Sequence, residues 1–122
     1  MTGCDLTPKS PVAFIGLGAL GLPIAVNLQA AGYSLQVHTR SRLAESDPGL
    51  AGALPAASPA EAAAGCSALL ICVSDDAAVE SVLWGEQGAG PALEQGSLVI
   101  DCSTISPSTA IAMAERLAKR DI

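Results

Sequence analysis

Apolar residues fall in short blocks along this chain, and the spacing within the blocks alternates between two periods. Pro11-Val12-Ala13-Phe14-Ile15 is an unbroken apolar run that stops at Gly16, the pattern of a parallel strand buried on both faces. From Ala19 to Ala31 the spacing turns helical: Leu20, Ile24 and Leu28 are four apart and predict one apolar face. Pro23 falls in the first turn, where its missing N–H costs little, and Gly32 ends the helix. Ser34 to Thr39 predicts a second strand. From Ser41 to Ala57 the pattern is broken by Pro48, Gly49, Gly52 and Pro55, which leaves a short helix or loop and a brief strand near Ala53 to Ala56.

The second half is better punctuated. Ser58-Pro59-Ala60-Glu61 starts a helix: Ser58 as cap, Pro59 at the first helical position, and Glu61 reaching back as in a capping box. That helix runs to Ala64 and stops at Gly65. Ala68 to Val73 predicts a third strong strand, and Asp75 or Asp76 opens a helix through Trp84. Gly85, Gly88, Gly90 and Pro91 make a loop; Leu98 to Cys102 reads as a strand, and Pro107 starts a last helix to about Arg120. Strand and helix alternate throughout, which predicts an open parallel α/β sheet. Residues Met1 to Ser10 lack periodicity and read as a flexible tail, leaving one domain from 11 to 122.

Composition narrows the chemistry. Half of the 122 residues are apolar but only Phe14, Tyr33 and Trp84 are aromatic, so the core is built from Ala, Val, Leu and Ile, which suits helices packed closely on a sheet. Twelve acids against six bases give a net charge of -6, which disfavours a nucleic-acid partner. Arg40 and Arg42 stand together; Arg116, Lys119 and Arg120 close the last helix, as cations near a helix C-terminus do. Cys4, Cys66, Cys72 and Cys102 form no CxxC pair, and His38 is the single histidine, so no metal site is expected. Cys72 and Cys102 lie in apolar runs and read as small buried hydrophobes, reduced in a cytosolic protein. No apolar run is long enough to span a bilayer, and the first ten residues lack a signal peptide's apolar stretch; the expectation is a cytoplasmic protein without a membrane partner.

Gly16-Leu17-Gly18-Ala19-Leu20-Gly21 matches G-x-G-x-x-G in the context that gives the motif meaning, with a buried strand before it and a helix opening on it. Gly16 permits the tight turn, Gly18 lets backbone approach a pyrophosphate, and Gly21 lets the helix pack on the strand. The helix's free N–H groups and dipole then favour an anion. A dinucleotide site for NAD usually carries Asp or Glu about 20 residues on, to hold the ribose hydroxyls. Here the strand ends His38-Thr39-Arg40-Ser41-Arg42, without an acid. Arg40 suits a 2′-phosphate, helped by Ser41, Thr39 or Arg42, so the residues predict NADP over NAD. His38 sits at the adenosine end and is given no catalytic role. Ser103-Thr104 reads either as a helix-capping turn or as a ligand loop beside the strands' carboxyl ends.

Four segments together resemble the β-hydroxyacid dehydrogenase family, relatives of 6-phosphogluconate dehydrogenase that include 3-hydroxyisobutyrate dehydrogenase and semialdehyde reductases. They are Phe14 to Pro23, continuing through Ala25, Asn27-Leu28 and Ala31-Gly32-Tyr33; Thr39-Arg40-Ser41; Val73-Ser74-Asp75 with Val79 to Gly88; and Asp101-Cys102-Ser103-Thr104-Ile105-Ser106-Pro107, close to the family's D-x-S-T-x-x-P. The resemblance covers about 12 to 120 and implies a Rossmann-type doubly wound parallel sheet. It implies that Gly16, Gly18, Ala19, Leu20 and Gly21, with Thr39, Arg40 and Ser41, hold the cofactor, and that Val73 and Ser74 line its groove. Ser103 would hold a substrate carboxylate and Thr104 would lie near the nicotinamide. Leu20 stands where the family usually has Met. The family's catalytic lysine lies on a later helix after a Gly-rich segment, and its helical C-terminal domain follows; neither Lys9 nor Lys119 matches that lysine.

The resulting expectation is a single NADP-binding domain lacking the helical C-terminal domain. No catalytic residue is assigned and turnover alone is negligible; in a longer chain the substrate would be a small hydroxyacid or semialdehyde. Its uncovered face would meet the missing C-terminal domain or a second copy in a homodimer. The competing expectations are a non-enzymatic dinucleotide-binding regulatory or interaction module, and another nucleotide cofactor such as S-adenosylmethionine in the same cleft.

Overall fold

The structure, a computed structural model, describes residues 11–42 and 44–122; the expected tail lies outside the described residues. The chain runs β1 (Pro11–Ile15), α1 (Gly21–Ala30), β2 (Ser34–His38), two 3-10 turns (Ala44–Ser46 and Pro48–Leu50), β3 (Leu54–Pro55), α2 (Pro59–Ala63), β4 (Ala68–Ile71), α3 (Asp76–Trp84), a 3-10 turn (Gly90–Ala92), β5 (Leu98–Asp101) and α4 (Pro107–Ala118). The strands form one parallel sheet in the order β3-β2-β1-β4-β5. The chain builds outward from β1 to β2 and β3, then crosses over to β4 and β5 on the other side. The carboxyl ends of β1 and β4 therefore flank the point where the winding reverses, the place where open α/β sheets form a crevice.

Alternation along β1 divides the core in two. Val12 and Phe14 pack with Leu35, Val37, Ala25, Leu17 and Leu50 on the α1 side. Ala13 and Ile15 pack with Leu69, Ile71, Val79, Leu83, Met113 and Leu117 under α2, α3 and α4. Every β1 residue from Val12 to Ile15 is buried, which is why the run shows no polar alternation. The two edge strands depart from this pattern: Leu98 and Ile100 of β5 are 41% and 38% exposed, and Leu54 of β3 is 62% exposed, since an edge strand has a neighbour on one side only.

Helix α1 differs from its predicted stripe. Gly21 and Ala25 are its buried residues, while Leu20 is 59% exposed. The contact with the sheet is made by the smallest side chains, so the helix lies close to the strands and its larger residues only flank the contact. A Cβ on Gly21 would overlap the Gly16 carbonyl. The Ser58 cap is as expected, with Oγ accepting from Glu61 N–H at 3.1 Å. Glu61 reaches one residue further than in a capping box and accepts from Ala57 N–H at 3.1 Å. α3 and α4 are capped by Asp75 and Ser106. Among the described residues, no helix is long and apolar enough to cross a membrane.

Candidate functional site

The carboxyl ends of β1, β2, β4 and β5 open into a cleft of about 670 Å³. The glycine loop forms one wall, His38, Thr39 and Arg40 one end, and Cys72-Val73-Ser74 with Cys102-Ser103-Thr104 the floor and far side. Of the residues singled out from the sequence, Gly16, Gly18, Ala19, Leu20, Gly21, Thr39, Arg40, Val73, Ser74, Ser103 and Thr104 all line it. Ser41 does not; it stands beside Arg40 on the turn at the rim.

Each glycine of the loop has its own reason. Gly16 has φ +101, a conformation side chains resist, and a Cβ there would overlap the Cys72 carbonyl. Its N–H donates to the His38 carbonyl at 3.0 Å, tying the loop to the end of β2. Gly18 is different: nothing lies within 4 Å of where its Cβ would stand, so the backbone is bare toward the cleft. The following helix has no side-chain cap and no acid in its first turn. Its N-terminal positive dipole is thus left for whatever lies above Gly18. These features fit a dinucleotide's pyrophosphate.

Arg40 is exposed and is the only charged residue lining the cleft among the described residues. Arg42, expected to assist it, is turned to another task. Its Nε donates to both oxygens of Glu45, at 2.7 and 2.9 Å. Glu45 is buried, and it also accepts from Thr39 N–H at 2.9 Å. The end of β2 does therefore hold a carboxylate, from a residue seven positions after His38. That residue does not line the cleft and its carboxylate already has partners, so it does not occupy the place of the acid that reads a ribose hydroxyl. His38 lines the cleft, with Nδ1 2.9 Å from the Ala56 carbonyl.

The two loops at the far side are bonded into one unit. Ser103 Oγ accepts from Val73 N–H at 2.9 Å, and Ser103 N–H donates to Asp101 Oδ1 at 2.8 Å. The Ser103 hydroxyl keeps its own proton free to donate. Beyond it, Asp76 accepts from the Ser106 N–H at 2.9 Å and its hydroxyl at 2.8 Å. The Ser106 backbone N–H, then its hydroxyl, holds the Asp76 carboxyl below the ordinary carboxylate range. Ser106 is thus the cap of α4, and the cap alternative for this loop falls on it rather than on Ser103 and Thr104.

Two residues missed in the sequence reading are cysteines. Cys72 and Cys102, expected to be buried, are half-buried and line the cleft, since the strand ends that carry them open into it. Burial, then the neighbouring Cys102 and Asp101, raises the Cys72 thiol. Among the described residues Cys66 is the buried thiol; burial pushes it up to about 11. Pro59, Ala78, Ser81 and Val82 also line the cleft. As small or apolar residues in helices they carried no chemical signal to mark them. No cluster of metal-ligating side chains occurs among the described residues.

The NAD-binding domain of 6-phosphogluconate dehydrogenase matches residues 11–122 as a family. The L-threonate dehydrogenase of Cupriavidus necator is 36% identical over 116 residues, covering 91% of this chain and 37% of that protein. The 3-sulfolactaldehyde reductase of Escherichia coli is 41% identical over 96 residues, covering 79% of this chain and 32% of that protein. The chain thus spans about a third of the length of these curated relatives. Among solved structures, Psf3 in complex with NADP+ and 2-OPP superposes with a TM-score of 0.83 at 32% identity, over 90% of this chain and 39% of that one.

Proposed function

Because the chain belongs to the family of the NAD-binding domain of 6-phosphogluconate dehydrogenase, we propose that it is the NADP-holding part of an oxidoreductase for a small hydroxyacid or its semialdehyde. The observation that carries the choice of dinucleotide is the charge of the cleft: Arg40 at the β2 end, and no acid among the lining residues. A 2′-phosphate would meet a guanidinium there and no carboxylate. The NADP+ complex of the 32% identical Psf3 supports the same reading.

In this reading the bare backbone at Gly18 and the open N-terminus of α1, with Gly16, Ala19, Leu20 and Gly21, hold the pyrophosphate. Arg40, with Thr39 and Ser41 at the same turn, holds the 2′-phosphate. Val73 and Ser74 line the groove for the nicotinamide half, with Thr104 beside it. Ser103, fixed by the Val73 N–H, turns its hydroxyl proton to a substrate carboxylate. When bound, the dinucleotide supplies hydride transfer, and these residues orient it against the substrate. Among the described residues no lysine lines the cleft, and this 122-residue chain is expected to bind cofactor with negligible turnover. Titration of both dinucleotides tests the reading: NADP should bind more tightly than NAD, and Arg40→Ala should remove the difference. Tighter binding of NAD, or an unchanged NADP affinity in Arg40→Ala, would overturn it.

A further inference from the structure

The turn that carries Arg40 is held from below by a residue with no contact to the cleft. Arg42 N–H donates to the Thr39 carbonyl at 3.1 Å, which closes a four-residue turn with Arg40 and Ser41 at its corner. Arg42 has φ +66, a left-handed conformation that a non-glycine residue keeps only when its surroundings enforce it. Glu45 supplies that enforcement. It is 8% exposed, and one carboxylate takes the Thr39 backbone N–H at 2.9 Å and the Arg42 Nε at 2.7 and 2.9 Å. The two ends of the turn, one through backbone and one through side chain, are fastened to the same group. His38 Nδ1 also lies 3.7 Å from Oε2.

We propose that Glu45 is the positioning residue for 2′-phosphate recognition: by clamping Thr39 and Arg42 it fixes the turn so that Arg40 is presented at the rim of the cleft before the ligand arrives. This rests on the NADP reading given above. The clamp has two effects. It engages the charge of Arg42, so that Arg40 is the guanidinium available to the cleft. It also removes from binding the entropy cost of ordering the turn, which is how preorganisation raises affinity. An NAD molecule has no group for Arg40 to grip there, so the clamp matters to one dinucleotide and little to the other.

The test is calorimetric titration of NADP and NAD into the wild-type chain and its variants. Glu45→Ala should weaken NADP about tenfold, the equivalent of one charge-assisted hydrogen bond. NAD affinity should change less than about twofold, since its contacts avoid the turn. Glu45→Gln, which keeps an acceptor for the Thr39 N–H, should recover part of the loss. Should Glu45→Ala fail to fold, Arg42→Gly removes the other half of the clamp at a backbone angle that suits glycine, and should shift the NADP-to-NAD ratio in the same direction. The two substitutions combined should cost no more than Glu45→Ala alone, because they break one interaction. Parallel weakening of both dinucleotides would mean that Glu45 merely supports the fold. Tighter NADP binding would mean that it only masks the charge of Arg42. Either result, or an unchanged ratio, overturns the proposal while leaving the NADP reading intact. A wild-type chain that does not prefer NADP takes both down.

Discussion

Four helices begin in this domain, and one begins differently. α2, α3 and α4 start on Ser58, Asp75 and Ser106, each with a side-chain oxygen on a backbone N–H inside the helix. α1 starts on Leu20 after a glycine loop, with no side-chain cap and no acid in its first turn. A helix start leaves several N–H groups without partners, and a cap ordinarily contributes about 1 kcal/mol by satisfying one of them. Three starts take that stabilisation from the chain itself. The fourth leaves its donors and its dipole facing the cleft. Ends that only support structure are closed, and the end that faces the candidate ligand is open.

The glycines on either side of that open end should separate folding from binding most sharply. Gly21→Ala puts a methyl group into the Gly16 carbonyl and should cost about 3 kcal/mol in denaturant unfolding, since neither backbone can give way. Gly18→Ala meets open space, so the thermal midpoint should hold while dinucleotide affinity falls about tenfold, or about 1.4 kcal/mol. Equal stability losses at the two positions would end the distinction between a packing glycine and a binding one.

Closing the open end should cost function and add stability. Leu20→Asp places a negative charge at the start of α1 on a side chain that is already 59% exposed. The chain without ligand should gain about 0.5 kcal/mol from the dipole, while NADP binds several-fold more weakly. A fall in stability with unchanged binding would show that the bare helix start is unrelated to ligand.

The smallest effect should come from acid. Asp76, in the first turn of α3, holds the cap of α4 through Ser106, and its carboxyl lies below its ordinary range in the folded state. A carboxyl lowered by folding contributes stability above its unfolded pKa, and loses it as pH falls through the folded one. Thermal melts of the wild type and Asp76→Asn should therefore differ at neutral pH and converge as pH drops below the usual aspartate range. A gap between the two that persists in strong acid would show that the bond acts through packing rather than charge.

What the sequence made legible was local. The strand at Pro11–Ile15 and the Ser58 cap depend on neighbours a few residues away, and both stand where the pattern put them. The glycine loop also carried its signal within six residues. The misses all needed tertiary distance. Glu45 lies in the stretch broken by prolines and glycines, and only the fold-back after the Arg42 turn brings it beneath Thr39. Apolar neighbours along the chain suggested that Cys72 and Cys102 were buried, but the winding reversal opens a crevice at those strand ends. Spacing by four marked Leu20 as core, whereas close packing through Gly21 and Ala25 decided the face.

Trp84, the only tryptophan of the chain, gives the domain a built-in optical reporter. It lies at the last turn of α3, with the Arg116 guanidinium 4.4 Å from its ring centre. Separation of α3 from α4 changes that stacking, so its fluorescence should follow the union of these helices on unfolding. The same helix lines the cleft through Ala78, Ser81 and Val82. Reduced nicotinamide absorbs where tryptophan emits, so excitation of Trp84 should pass to a reduced cofactor held beside that helix. One residue, without any label, would then signal both the integrity of the fold and the occupancy of the cleft.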